Sequence, residues 1–179
     1  MRHTPGHQSP GGNAGDARRS WRANRPPEPF TTYGTWLHGN ERGSVDRKSK
    51  DIDRKYVAPD PILHEYMEER LKHPKVKLDA NARRIVRETI ENYCNFKSWG
   101  LHAINVRTNH VHLVVEAAEP ASKMLNAIKA RATRILREEK AFPPDQPIWT
   151  ERGNKGRIRS ERSLKRAIKY VLEDQGPDI

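Results

Sequence analysis

The stretch "LHAINVRTNHVHLVVEA" (residues 101–117) contains two runs rich in apolar and β-branched residues, with a short polar centre between them. Apolar residues that alternate with polar ones are typical of β-strands that bury one face. Thr108 and Asn109 separate the two runs, and two-residue connections commonly join antiparallel strands. The sequence therefore predicts a β-hairpin whose second strand carries His110 and His112 on the same face.

Helices and further strands are predicted on both sides of this hairpin. Helical periodicity, cap residues and turn residues give these elements in chain order: a strand at 29–39, a helix at 79–97, the hairpin, a helix after Glu119-Pro120, short strands between 148 and 160, and a helix from Ser160 to Gly176. The order β-α-β-β-α-β-α predicts an α+β fold, an antiparallel sheet with helices packed on one face.

The composition separates a basic arm from one folded domain. Residues 1–28 are rich in Gly, Pro and Arg and show no periodicity, so we expect a disordered basic arm there. A single domain is expected over residues 29–179. Within it, the weaker pattern of residues 40–78 predicts an insertion of unassigned role, in which Asp60-Pro61 opens a short helix.

The charge of the chain favours a polyanionic partner. Lys and Arg number 34 against 23 Asp and Glu, which gives a net charge of +11. An excess of this size favours nucleic acid, while a solvated basic surface is the simpler alternative. No apolar run approaches the roughly 20 residues of a membrane span, and the first residues lack a signal-peptide pattern. We therefore expect a cytoplasmic protein without membrane contact.

The cysteine count excludes two kinds of site. Cys94 is the only cysteine, so neither an intrachain disulfide nor a cysteine-based zinc cluster can form. It falls on the apolar side of the predicted helix at 79–97, where we expect an inert core thiol.

The two histidines of the hairpin form a compact pair of candidate metal ligands. On one strand face their backbones lie about 7 Å apart, so both imidazoles can reach one ion. Two ligands do not complete a site, and half-buried histidines are often only structural. The pair alone therefore leaves a metal site and a packing role open.

The last predicted helix adds a second cluster of reactive side chains. Its apolar face comprises Leu164, Ala167, Ile168, Val171 and Leu172. Arg166, Tyr170 and Asp174 follow at intervals of four residues and form one ridge along the border of that face. A phenol, whose ordinary pKa is about 10, becomes a better nucleophile beside a cation or metal. A border tyrosine can also be simply amphipathic.

These residues together resemble a known family. "TNHVHLVV", followed about sixty residues later by "AIKYVLEDQG", resembles the HUH-type single-tyrosine transposases of small insertion sequences and their REP-associated relatives. The resemblance covers roughly residues 30–176. It implies a ferredoxin-like α+β fold and a metal-dependent cleavage and rejoining of single-stranded DNA, and we expect that DNA to contain a hairpin. It leaves open whether the chain acts as a monomer or as a homodimer.

The resemblance also implies roles for individual residues. His110 and His112 would bind Mg²⁺ or Mn²⁺, and Tyr170 would attack the scissile phosphate to leave a 5′-phosphotyrosine link. Relatives place Gln or Asn four residues after the tyrosine, where this chain has Asp174. Asp174 is therefore the expected third ligand, with Gln175 as the alternative, because the next residue turns a further 100° around a helix.

The remaining expectations concern DNA contacts. We expect basic side chains on the helices to grip phosphates: Arg162, Arg166, Lys169 and Lys129. Trp36, Trp99 or Trp149 can stack an unpaired base, and core packing is the better expectation for at least two of them. Two other functions stay open: a domesticated protein that binds DNA hairpins without cleaving them, and a zinc hydrolase that uses the two histidines and an acid.

Overall fold

A computed structural model describes residues 29–41, 44–45, 56–151 and 158–176. Its elements in chain order are β1 (Phe30–Thr31), β2 (Ser44–Val45), β3 (Tyr56–Val57), α1 (Pro61–Glu69), α2 (Ala80–Phe96), β4 (Gly100–Val106), β5 (His110–Glu116), α3 (Ala121–Glu138) and α4 (Glu161–Leu172). The predicted disordered arm at 1–28 lies outside the described residues, as do residues 152–157 of the strands predicted after residue 148.

The predicted hairpin is confirmed as the centre of the sheet. Strands β4 and β5 pair antiparallel, with Asn105 opposite His112 and Val106 opposite Val111. The Arg107 N–H donates to the His110 carbonyl at 2.8 Å, which closes the two-residue connection. Strand β1 pairs with the other edge of β5, so the sheet has the order β1-β5-β4.

A single bridge extends the sheet beyond β1. Thr32 pairs antiparallel with Trp149, and the Thr150 N–H donates to the Thr31 carbonyl at 3.0 Å. The chain that follows α3 therefore lies beside the first strand, as in a split β-α-β arrangement. The predicted α+β class is confirmed. The predicted first strand is shorter than expected, because the chain turns at Gly34, whose φ of +76° suits glycine.

Helices cover both faces of the sheet, so the expectation of helices on one face was wrong. Helix α2 packs over β4, and α3 packs against α2, in the main hydrophobic core that includes Ile104, Val106 and Val111. Helix α4 packs on the opposite face over Ala103 and Val114. The reason is the alternation of the strands, since neighbouring residues of β4 point to opposite faces and both faces carry apolar side chains.

Three of the predicted helix starts are confirmed by side-chain caps. The Asp60 carboxylate accepts from the Leu63 N–H at 3.0 Å, and the Asp79 carboxylate accepts from the Ala82 N–H at 2.7 Å. The Ser160 hydroxyl accepts from the Ser163 N–H and caps α4. These side chains satisfy N–H groups that have no partner within the helix.

Helix α2 ends in a different way from the one predicted. Gly100 is the glycine that follows the predicted helix and would be its usual stop, but it begins β4 instead. The turn is made by Ser98, whose φ is +54°, and the Trp99 N–H donates back to the Cys94 carbonyl at 2.9 Å. The predicted core position of Cys94 is confirmed: the residue is fully buried, and burial raises the pKa of its thiol.

The end of the predicted insertion at 40–78 belongs to the core. Val76 and Leu78 are buried, and their N–H groups donate to the carbonyls of Tyr33 and Thr108. This segment therefore fastens the turn after β1 to the connection between β4 and β5. It fixes the end of the hairpin at which His110 lies.

Thr32 is the side chain that joins these segments. It is fully buried, and its hydroxyl donates to the Val76 carbonyl at 2.7 Å. We predict that Thr32→Val, which keeps the shape but not the donor, lowers the free energy of unfolding by about 1–3 kcal/mol. Denaturant titration measures this loss. The same change at half-buried Thr133 of α3 is the control, and an equal loss there would contradict the prediction.

Candidate active site

The two histidines of β5 lie on the face that α4 covers. Their ring centroids are 5.1 Å apart and the rings meet edge to face. His112 is only 4% exposed and His110 is half-buried. The predicted shared face is confirmed, and it is the same face that Ala103 and Val114 present to α4.

Tyr170 lies against this pair. Its ring centroid is 5.6 Å from that of His112, with the ring planes 79° apart. Tyr170 is half-buried and packs with the small apolar cluster of α4 and the sheet. Tyr93, by contrast, packs against Trp99 on the other face of the sheet. The structure thus brings Tyr170 to the histidines.

Small side chains allow α4 to approach the sheet closely. The buried residues of this contact are Ala103 and Val114 of the sheet and Ala167 and Val171 of the helix. Val171 ends the packed face, because Leu172 is 57% exposed, contrary to its predicted place on that face. The ring contact of Tyr170 with His112 places the carboxyl end of α4 beside the histidines.

A hydrogen bond from His110 to Asn109 favours one tautomer of the His110 imidazole. The Asn109 side-chain oxygen lies 2.7 Å from His110 Nδ1. An amide oxygen only accepts, so this contact suits the neutral tautomer in which Nδ1 donates and Nε2 carries the lone pair. Metal-binding histidines commonly donate their other ring N–H in this way. The donor set of His110 and His112 therefore fits a divalent cation.

The segment after Tyr170 differs from a continued helix. Helix α4 ends at Leu172, and Asp174 is exposed, although its N–H still donates to the Tyr170 carbonyl at 3.3 Å. Gln175 was expected to turn away, but its side chain folds back and donates to the same carbonyl at 3.0 Å.

The third ligand is not brought to the histidines in this conformation. Over the described ranges, no three His, Cys, Asp or Glu side chains are grouped so that they could hold a metal ion. Asp174 therefore does not join His110 and His112 here. Its role as a ligand, and that of Gln175, stays a prediction.

Three of the expected phosphate contacts are placed where DNA could reach them. Arg162, Arg166 and Lys169 are exposed on the outer side of α4. Lys169 lies 3.9 Å from Glu173, a solvent-exposed pair that contributes little to stability.

Lys129 is a correction to the expected phosphate contacts. It is only 7% exposed, its ammonium donates to the Thr150 carbonyl at 2.8 Å, and it lies over the Phe30 ring. In the sequence, Lys129 is at helical spacing from the buried residues Leu125 and Ala132, which indicates an inward position. Lys129 thereby holds the segment at Trp149 and Thr150, which extends the sheet beyond β1, to α3.

The tryptophans divide as expected. Trp99 and Trp149 are buried, and their indole N–H groups donate to the Glu119 carboxylate and the Lys129 carbonyl. Trp36 is 49% exposed and is the tryptophan of the three that can present a face to a base.

Sequence reasoning missed three side chains around the site. Asn109 orients His110, Asn105 donates to the Val171 carbonyl, and Arg107 donates to the Gly176 carbonyl. The signal was present in the alternation of β4, because Asn105 and Arg107 follow Ala103 at intervals of two. Only the register shows that Asn105 lies opposite His112.

The sequence matches the family described as "Transposase IS200 like" over residues 67–171. This match spans more than half of the 179 residues. The chain belongs to this family. IS200-like transposases are DNA-processing proteins, and the matched segment includes His110, His112 and Tyr170. A comparison with curated proteins gave no match.

The family match ends one residue after Tyr170. Asp174 and Gln175 therefore lie after the matched segment, and β1 lies before it.

Among the helices of the described ranges, none combines the length and apolar character needed to cross a membrane.

The contact between Tyr170 and His112 can be tested without any activity. We predict that Tyr170→Leu shifts the ring-proton NMR resonances of His112, because the aromatic ring at 5.6 Å is removed. His102, at the other end of the hairpin, is the internal control and should not shift. An unchanged His112 signal would show that the two rings are not in contact.

Proposed function

We propose that the chain is a cytoplasmic enzyme that nicks and rejoins single-stranded DNA, with Tyr170 as the nucleophile. The observation that carries the proposal is the position of Tyr170 against His112, beside His110, in a member of the transposase family. A zinc hydrolase that uses the two histidines gives this tyrosine no role. The placement therefore favours covalent catalysis through a phenol oxygen.

The proposed step exchanges one phosphoester bond for another. The Tyr170 oxygen loses its proton and attacks phosphorus, which becomes bonded to that oxygen and stays bonded to the 5′ oxygen of the downstream strand. The bond from phosphorus to the 3′ oxygen breaks, and this oxygen takes up a proton and leaves as a free 3′ hydroxyl. Because the phosphoester bond is exchanged and not hydrolysed, the 3′ hydroxyl of a second strand can reverse the step without ATP.

His110 and His112 would hold Mg²⁺ or Mn²⁺, with an oxygen ligand from Asp174 or, as the alternative, Gln175. Such an ion polarises the phosphodiester and stabilises the leaving 3′ oxygen. Support for this role comes from Asn109, which holds His110 in the tautomer with its lone pair on Nε2. Buried His112, pressed between His110 and Tyr170, has little freedom to turn away.

The exposed basic side chains of α4 would grip the DNA backbone beside the site. Arg162 and Arg166 are one helical turn apart, and Lys169 follows on the same helix as Tyr170. A strand bound along them would pass close to the tyrosine. Trp36 would stack an unpaired base.

A covalent adduct tests this proposal. We predict that the protein, incubated with a hairpin-bearing single-stranded oligonucleotide and Mn²⁺, forms an adduct that survives a denaturing gel. Tyr170→Phe should form none, because it lacks the attacking oxygen. Tyr93→Phe is the matched control and should react like the wild type, since Tyr93 packs on the other face of the sheet.

The other variants and outcomes distinguish the transposase from the two alternative functions. His110→Ala and His112→Ala should lose both the adduct and the dependence on Mn²⁺. An adduct that persists in Tyr170→Phe would contradict Tyr170 as nucleophile. Tight hairpin binding without any adduct would favour the domesticated binding protein instead, and metal-dependent hydrolysis without an adduct would favour the hydrolase.

A second test compares Arg166, which is exposed, with Lys129, which is buried. We predict that Arg166→Met reduces the slope of log affinity against log salt concentration by about 1, because one phosphate contact is lost. Lys129→Met should leave the slope unchanged, since Lys129 is buried. Fluorescence anisotropy with a labelled oligonucleotide measures both. Equal reductions would contradict the assignment of the DNA-binding side of the protein.

A further inference from the structure

The apolar contact that docks α4 on the sheet is small. Its fully buried members are short side chains, Ala103, Val114, Ala167 and Val171, and the larger Leu164, Ile168 and Tyr170 pack against them only partly buried. The core on the other face contains larger ones such as Trp99, Ile128 and Leu136. Hydrophobic stabilisation grows with buried apolar area, so polar contacts carry a larger share of the docking of α4.

Asn105 makes one of these polar contacts. Its side-chain amide donates to the Val171 carbonyl at 3.0 Å. The last carbonyls of a helix have no donor within the helix, and this bond supplies one. Asn105 also lies opposite His112 in the sheet. One side chain therefore links the end of the tyrosine helix to the strand position beside a candidate metal ligand.

Arg107 makes the second contact, two residues further along. It is only 6% exposed, and its guanidinium donates to the Gly176 carbonyl at 3.2 Å, just beyond α4. A buried cation is costly unless it is paired, and the carboxyl end of a helix carries partial negative charge. Its backbone N–H donates to the His110 carbonyl, so Arg107 is fixed beside the other histidine.

We propose that Asn105 and Arg107 are positioning residues: they hold the carboxyl end of α4 to the sheet and thereby set Tyr170 against His112. The proposal rests on the proposed function for its effect on the reaction. The docking of α4 does not depend on the proposed function, because it follows from hydrogen bonds within the chain. Neither residue touches the reacting atoms; both act through the helix that carries Tyr170.

Hydrogen exchange of the full-length protein without DNA tests the docking. In Asn105→Asp, which keeps the shape but replaces the donor amide, and in Arg107→Met, the amides of α4 should exchange about tenfold faster. Exchange in α2 and α3 should stay as in the wild type. Arg107→Lys keeps a charged donor and should lie closer to the wild type. Asn126→Asp and Arg131→Met, both exposed on α3, are the matched controls.

Two exchange results would overturn the proposal. Unchanged exchange in α4 of both variants would show that the hydrogen bonds do not hold the helix. Faster exchange throughout α2 and α3 as well would show that the two residues stabilise the whole fold rather than the position of α4.

The reaction gives the second readout. At saturating oligonucleotide and Mn²⁺, Asn105→Asp and Arg107→Met should form the adduct about tenfold more slowly, with unchanged affinity for the oligonucleotide. A loosened α4 with an unchanged adduct rate would overturn the positioning role. If the wild type forms no adduct, the proposed function fails, and the exchange experiment alone decides whether the two residues dock α4.

Discussion

The register of β4 against β5, with Asn105 opposite His112, decides which side chains meet at the candidate site. Because strand side chains alternate, this register sends His110, His112 and Arg107 to the face that α4 covers, and it sends Val111 to the main core. A slip by one residue would reverse both faces at once. The large core beneath Val111 therefore stabilises the register on which the site depends.

The two faces of the sheet have different roles, one in stability and one in the candidate active site. The face under α2 and α3 is a core of large apolar side chains, which gives the sheet a rigid support. The face under α4 has small apolar residues, two histidines and polar side chains that reach the carboxyl end of the helix. The reactive side chains thus lie where contacts are few, on a strand held from behind by the larger core.

The parts that were predictable from sequence depend on local physical rules. Strand alternation gave the hairpin and the shared face of the histidines, and cap residues gave the helix starts, as at Asp79. What could not be predicted depends on tertiary contacts. Covering both faces requires knowing where α4 docks. The partners of Lys129, Thr150 and Phe30, are known only once the segment after α3 is placed, and the fold-back of Gln175 begins only where the helix stops.

Identification of the residue that becomes bonded to DNA decides whether Tyr170 is the nucleophile. The wild-type protein is incubated with oligonucleotide and Mn²⁺, the DNA is trimmed with nuclease, and the peptides are mapped by mass spectrometry. We expect a nucleotide mass on the tyrosine of the peptide that contains Tyr170. The same mass on a peptide that contains Tyr33, Tyr56, Tyr66 or Tyr93 instead would contradict Tyr170 as the nucleophile.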